Sequence, residues 1–182
     1  YPPVRVPAFA PQEPEDYFLI VSRLVPYKRI DLAVRAFNAL GLPLRIIGEG
    51  RDHAALQSIA KANVQFLGYL SDDQTRQQMA RCRAFVFPGE EDFGITPLEA
   101  MAAGRPVIAY GVGGALDTIE EGRTGLFFRE PTPESLAEAV RRLDQYSFDP
   151  AYLYHHAQSF DEGRFKRELA EVLERKSQNY QA

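Results

Sequence analysis

Three acids in a row, Glu90-Glu91-Asp92, stand directly before Phe93-Gly94-Ile95-Thr96-Pro97-Leu98-Glu99. A charge run is ordinarily a solvated loop. This one lies beside a glycine and the start of a helical stretch, where the backbone N–H groups of Gly94 and Ile95 can meet an anion. A carboxylate and a phosphate side by side repel, so fixed cations are expected nearby. Arg23 and Lys28, within Ser22-Arg23-Leu24-Val25-Pro26-Tyr27-Lys28-Arg29, are suited to that task. Arginine offers a planar fork to phosphate oxygens and lysine a point charge, although either residue taken singly is more often a surface charge. Thr96-Pro97-Leu98-Glu99 also fits a capping box, with Thr96 as N-cap, Pro97 first in the helix and Glu99 three residues on. That structural reading of Glu99 stands level with a functional one.

Other patterns carry less. Gly48-Glu49-Gly50 follows a strand and opens a helix, but His53 stands where the third glycine of a dinucleotide fingerprint belongs, and it is too bulky for close helix–strand packing. Gly111-Val112-Gly113-Gly114 misses the same spacing at Leu116. There is no Walker loop, no G-x-S-x-G and no Ser/His/Asp arrangement. Nor is there a D-x-D motif to hold a metal on a nucleotide diphosphate. His53, His155 and His156 show no metal-ligand spacing, and His155-His156 reads as helix surface. Cys82 reads as a packed or semi-buried thiol rather than a nucleophile. A metal at Glu90, Glu91 and Asp92 is the weaker reading of that cluster.

The elements that must position these residues alternate regularly. Strands are expected at Tyr17–Val21, Leu44–Ile47, Val64–Leu67, Ala84–Phe87, Pro106–Ala109 and Gly125–Phe128. Helices are expected at Ile30–Leu40, Asp52–Ala60, Asp72–Cys82, Pro97–Ala103, Ala115–Glu121 and Pro133–Gln145. Most of the strands are nearly continuous apolar runs, as when both faces are covered. Such alternation implies right-handed βαβ crossovers and an α/β fold: a doubly wound, Rossmann-like parallel sheet of about six strands. Ligands of open parallel sheets bind outside the carboxyl ends of the strands, and the candidate residues fall there. After Asp149-Pro150 the pattern becomes purely helical, at Ala151–Gln158 and Glu162–Lys176, with Asp161 a cap for the second. Phe165, Leu169, Val172 and Leu173 recur at helical spacing. They predict a helix packed on its own domain, or one that crosses to another domain.

Composition bounds the class. The chain has 182 residues, 45% hydrophobic and 25% charged, with net charge −4. At about 150 residues per domain it is one domain with an appendage, and roughly 70% of its unfolded surface can be buried. Twelve Phe and 9 Tyr argue against disorder, and a lone cysteine excludes a disulfide scaffold or thiolate zinc site. Apolar runs fall short of the about 20 residues of a membrane span. The acidic balance disfavours general nucleic-acid binding. The opening, Tyr1-Pro2-Pro3-Val4, has no basic stretch followed by an apolar run, so no signal peptide is expected. It also lacks Met, so the chain is expected to belong to a longer protein. Pro2, Pro3, Pro7, Pro11 and Pro14 mark residues 1–16 as an extended lead-in or linker. The domain proper is then 17–149, and 150–182 the C-terminal helices.

Taken together, these loops resemble the donor-binding C-terminal domain of the retaining glycosyltransferases of family 4, the group 1 transferases of GT-B architecture. That family's signature is two glutamates with seven residues between them, the first followed by x-Phe-Gly, and Glu91-Asp92-Phe93-Gly94-Ile95-Thr96-Pro97-Leu98-Glu99 matches it, continuing into Ala100-Met101-Ala102-Ala103-Gly104-Arg105-Pro106. Ser22 to Lys28 is similar to its basic loop. Phe66-Leu67-Gly68 and Gly113-Gly114 fall in the expected order. The resemblance runs from about Tyr17 to Leu143. Pro26-Tyr27-Lys28-Arg29-Ile30-Asp31 with Glu91-Asp92-Phe93-Gly94-Ile95 is most similar to mannosyltransferases of bacterial surface-polysaccharide biosynthesis.

The resemblance implies a nucleotide-sugar donor, GDP-mannose first, and hexose transfer to a glycan or lipid-linked acceptor without a metal. Arg23 and Lys28 would bind the diphosphate and stabilise the leaving charge. Glu91 would accept hydrogen bonds from sugar hydroxyls, and these three would be the catalytic groups. Gly94 and Ile95 would present N–H groups, Glu99 would hold the ribose, and the backbone near Leu70 would face the base. Gly48, Phe93 and Thr96 would complete the donor contacts. The family's N-terminal acceptor domain would be the partner, the isolated chain being inactive without it. The last helix would cross back to that domain with its apolar stripe exposed here or repacked. Placement would be cytoplasmic, at most peripheral at the inner face of the membrane, any membrane contact being made through the absent domain. Two alternatives stand beside it: a non-catalytic nucleotide-sugar-binding domain, and a Rossmann-type NAD-dependent oxidoreductase, which the broken glycine fingerprints disfavour.

Overall fold

The computed structural model describes the backbone of residues 2–6 and 12–179 and the side chains through 176. Tyr1 and residues 7–11 of the lead-in, with Pro7 and Pro11, lie outside the described residues. Six parallel strands, β1 (Phe18–Val21), β2 (Leu44–Ile47), β3 (Val64–Gly68), β4 (Ala84–Phe87), β5 (Val107–Tyr110) and β6 (Gly125–Phe128), form one sheet in the order β3-β2-β1-β4-β5-β6. The doubly wound expectation therefore holds. β1 pairs with β2 through Ile20 opposite Ile46 and with β4 through Phe18 opposite Ala84. Winding reverses between β1 and β4, which opens a crevice beyond their carboxyl ends.

The strand sequences alternate between two cores. Phe18, Ile20, Leu44, Ile46, Val86, Ile108, Leu126 and Phe128 face one side. They pack under α1 (Ile30–Leu40) and α6 (Pro133–Arg142), with α2 (His53–Ile59) beside them. Leu19, Ile47, Phe85, Phe87, Val107, Ala109 and Phe127 face the other, against α4 (Ile95–Ala102) and α7 (Pro150–Gln158). Both faces of β1, β4 and β5 are thus covered, which explains their unbroken apolar runs. Local signals fix the helix starts. Thr132 Oγ1 accepts from the Ser135 N–H at 3.2 Å ahead of Pro133, and Asp149 Oδ1 accepts from the Ala151 N–H at 2.9 Å ahead of Pro150. α3 (Asp72–Arg81) opens on a complete capping box between Ser71 and Gln74.

Several boundaries differ from expectation. The helix expected to 145 ends at Arg142, and a 3₁₀ turn over Leu143–Gln145 finishes it. α5 (Ala115–Thr118) is one turn only, because Thr124 draws the chain away by accepting the Glu120 N–H at 2.8 Å. His155 lies on the surface as expected. His156 turns inward, its Nε2 2.8 Å from the Thr118 carbonyl. Cys82 is fully buried, its Sγ–H donating to the Met79 carbonyl at 3.3 Å, and burial pushes the thiol up to about 12. In the lead-in, Val4 is fully buried and its N–H donates to Phe160 O at 3.1 Å. α8 (Glu162–Asn179) is capped by Asp161 Oδ1, which accepts the Arg164 N–H at 2.7 Å. Its apolar stripe is not packed on this domain: Leu169, Val172 and Leu173 are 44%, 41% and 60% exposed. The self-packed expectation for this helix fails. No helix among the described residues is long and apolar enough to cross a membrane.

Candidate functional site at the sheet switch point

A cleft of 1380 Å³ opens where β1 and β4 diverge, and Arg23, Lys28, Gly48, Leu70, Glu91, Phe93, Gly94, Ile95, Thr96 and Glu99 all line it. Residues scattered over some eighty positions of chain are gathered because each follows a strand in the same parallel sheet. Lys28 sits on a 3₁₀ turn, Pro26–Lys28, opened by Pro26 and closed by Arg29 in the left-handed region at φ 52°. Its Nζ donates to Glu91 Oε1, an ion pair with both side chains largely withdrawn from water, at 16% and 23% exposure. Gly89 makes the approach of the two loops possible: a Cβ there would lie 2.9 Å from Lys28 Cα.

Glycines brace the acidic loop from the other side. The Gly114 N–H donates to Glu91 O at 2.8 Å. A Cβ on Gly113 would lie 2.6 Å from that same carbonyl, and one on Gly114 would overlap Phe93 Cα and the Asp92 carbonyl. Gly48, at φ 123°, lets the turn after β2 pass against the Ser22 carbonyl, under the loop that carries Arg23. Arg23 is exposed along the cleft. Phe93 is buried and turned toward Phe160, 6.0 Å between ring centroids, while Ile95 is exposed at the mouth.

The capping-box expectation is overturned. α4 begins at Ile95, with Gly94 at its N-cap in a left-handed conformation, φ 85°, and no side chain caps it. The glycine makes the turn into the helix, which places Thr96 and Pro97 inside the first turn. Pro97 is tolerated there because first-turn N–H groups have no intrahelical acceptor. Glu99 then lies beyond the reach of a cap. It is half-buried on the cleft wall. Burial first, and then the negative charge of Asp72, hold its carboxyl above the usual carboxylate value of 4.5, with Arg76 acting in the opposite sense.

The structure also adds residues that the sequence reading passed over. Tyr69, Asp72 and Arg76 line the cleft opposite α4. The Ser71-x-x-Gln74 pattern was the available signal, since it marks a helix start directly after a strand. Gly89 carried no signal beyond being a glycine after a strand.

A doubly wound sheet with a charged cleft at its switch point places the chain among Rossmann-like domains. Within them it belongs to the glycosyl transferases of group 1, a family that matches residues 6–150, and it is the C-terminal domain of the GT-B architecture. A GDP-mannose-dependent alpha-mannosyltransferase of Mycobacterium tuberculosis is 35% identical over 133 residues, covering 70% of this chain and 35% of that protein. Its namesake in Mycolicibacterium smegmatis is 43% identical over 108 residues, covering 58% and 28%. Among solved structures, the lipopolysaccharide outer core galactosyltransferase WaaB superposes with a TM-score of 0.83 at 22% identity, over 97% of this chain and 55% of that one. HepE of Anabaena, in complex with UDP, gives 0.74 at 24% identity, over 87% and 48%. The chain thus spans about a third of the length of these mannosyltransferases and about half of the solved chains.

Proposed function

We infer that this domain binds a nucleoside diphosphate sugar, GDP-mannose the favoured donor, as the donor half of a retaining hexosyltransferase acting on a glycan or lipid-linked acceptor. The observation that carries the reading is the Lys28–Glu91 pair set against the start of α4 in the switch-point cleft. Lysine has three donors, so one can stay on Glu91 while others meet a diphosphate oxygen. Arg23 adds an exposed cation along the same wall. Departure of a nucleoside diphosphate builds negative charge, and fixed cations with the N–H groups of Gly94 and Ile95 stabilise it where it forms. Glu91 takes sugar hydroxyls and Glu99 the ribose, with Leu70 beside the base. Attack comes on the face from which the nucleotide leaves, so the two glutamates do not act as a glycosidase pair. Support for mannose comes from the two GDP-mannose-dependent relatives, and support for a nucleotide from the UDP in HepE. Family membership sets the oxidoreductase alternative aside.

Calorimetric titration of GDP against GDP-mannose, with UDP and ADP pairs alongside, tests this reading. Binding should be insensitive to EDTA. Glu91→Gln should keep GDP affinity and erase the added affinity of GDP-mannose over GDP. Equal loss of both ligands in Glu91→Gln, or a requirement for magnesium or manganese, would overturn the placement of the sugar. The purified chain should bind without multiple turnover, and reproducible transfer to an acceptor by this chain alone would refute the need for a second domain.

A further inference from the structure

Three parts of the molecule meet on Phe160, at the corner between α7 and α8. Its ring packs on Phe93 of the acidic loop, 6.0 Å between centroids, and edge-on to His156 at 5.5 Å. His156 is itself fixed by the Thr118 carbonyl at 2.8 Å. The backbone carbonyl of Phe160 accepts the N–H of Val4 at 3.1 Å, which docks the lead-in. The next residue, Asp161, forms a bridge with Val4 and caps α8. The loop over Glu91–Gly94 is thus braced by glycine backbone at Gly114 and, through Phe93, by the aromatic ring of Phe160, beside the Lys28 ion pair at Glu91. Backbone contact cannot yield without disrupting the turn, whereas a ring contact can slide. The lead-in at Val4 and the start of α8 are both anchored at this aromatic support.

We propose that Phe160 is a positioning residue that holds the acidic loop through Phe93 and ties its conformation to the lead-in and the start of α8. The tie itself rests on geometry; its effect on sugar preference rests on the donor reading above. Phe160 does not line the cleft, whereas Phe93 does. It acts by keeping Phe93, and hence Glu91 and Gly94, in register with Lys28.

Amide hydrogen exchange on the whole chain without nucleotide tests the tie. Phe160→Ala should speed exchange across residues 91–96 by up to about tenfold, the worth of an aromatic pair, while β1 and β2 keep wild-type protection. Phe160→Leu should restore most of it. The reciprocal variant Phe93→Leu should loosen residues 2–6 and the first turn of α8, and it decides the matter if Phe160→Ala does not fold. Acceleration confined to residues 157–165, or spread uniformly over the sheet, would overturn the proposal, because either is what a merely structural ring produces. A second measurement compares GDP with GDP-mannose: Phe160→Ala should weaken GDP-mannose more than GDP, because the loosened loop carries Glu91 as well as Gly94 and Ile95, and so lose the increment due to the sugar. A wild type with no such increment defeats the donor reading, and the exchange data alone then decide the tie.

Discussion

At the end of the cleft that holds Lys28 and Glu91, position is set by backbone lying against backbone. At the end that holds Leu70, Asp72 and Glu99, it is set by side chains on the opening turns of α3 and on α4. Gly89, Gly113 and Gly114 bring three loops together at the first end, and none of these positions has room for a Cβ. The second end is looser: Tyr69 is 76% exposed and Arg76 is paired with Asp73 on its own helix. A rigid end suits a task common to all nucleoside diphosphates, fixing the charged group. A wall of side chains suits the part that differs between nucleotides, since it can be altered without moving the backbone. If so, lesions at the first end should be severe and indifferent to the base, and lesions at the second mild and graded.

The largest effect is expected where a methyl group would enter the rigid end. Gly114→Ala keeps an allowed helical conformation, φ −65° and ψ −14°, so any cost comes from the clash with Phe93 and Asp92. Overpacking costs about 1–3 kcal/mol where side chains can shift, and here the Cβ would meet backbone, so the cost lies at or above the top of that range. Melting should fall by several degrees, and GDP, UDP and ADP should all lose affinity together. Unchanged melting and binding in Gly114→Ala would show that this end is not rigid.

Next come the two cations. Lys28→Ala removes a charge-assisted donor and leaves Glu91 half-buried without its partner. The loss of diphosphate affinity should reach about 1.5–3 kcal/mol, roughly ten- to a hundredfold. Arg23 is exposed and held by no ion pair among the described residues. Arg23→Ala should therefore cost only about two- to fivefold, the scale of exposed charge interactions, and that loss should shrink with added salt. Calorimetry at two ionic strengths distinguishes them. Equal and salt-independent losses would mean that Arg23 is drawn into the cleft when ligand binds.

The rigid end was also the more legible in the sequence. Apolar runs such as Ala84–Phe87 and Gly125–Phe128 announce strands covered on both faces, and the residues following each strand then fall at one edge by topology alone. That reasoning gathers Arg23, Lys28 and Glu91. It does not say how the loops touch, because the close approach at Gly89 depends on tertiary contact across about sixty residues. Thr96-Pro97-Leu98-Glu99 misled for a local reason: Gly94, in a left-handed conformation, starts the helix earlier than any capping side chain. The stripe on α8 shows a different limit. Its periodicity matches that of α6, whose Leu136, Ala137, Ala139 and Val140 are buried, yet Leu169, Val172 and Leu173 lie exposed. Periodicity establishes an apolar face and is silent on what covers it.

The smallest effect, and the one that best resolves the second end, concerns Glu99. Its carboxyl is held above 4.5 by burial and by Asp72, so the folded chain retains the proton more firmly than the unfolded chain. The stability linked to that proton is fully present below 4.5 and is lost as pH rises through the elevated value. At neutral pH the carboxylate is thus a net cost to folding. Glu99→Gln should melt slightly higher than wild type at pH 7, and the difference should vanish below pH 4.5. Ligand binding should run the other way. A ribose hydroxyl donates best to the charged form, so wild-type GDP affinity should weaken as pH falls through the elevated value. Glu99→Gln should weaken GDP and GDP-mannose by the same factor, keep the increment due to the sugar, and lose that pH dependence. Melting and titration series over the same pH range test both signs at once. A variant that melts higher yet binds GDP as wild type does would leave Glu99 a buried charge on the cleft wall and remove it from the ribose.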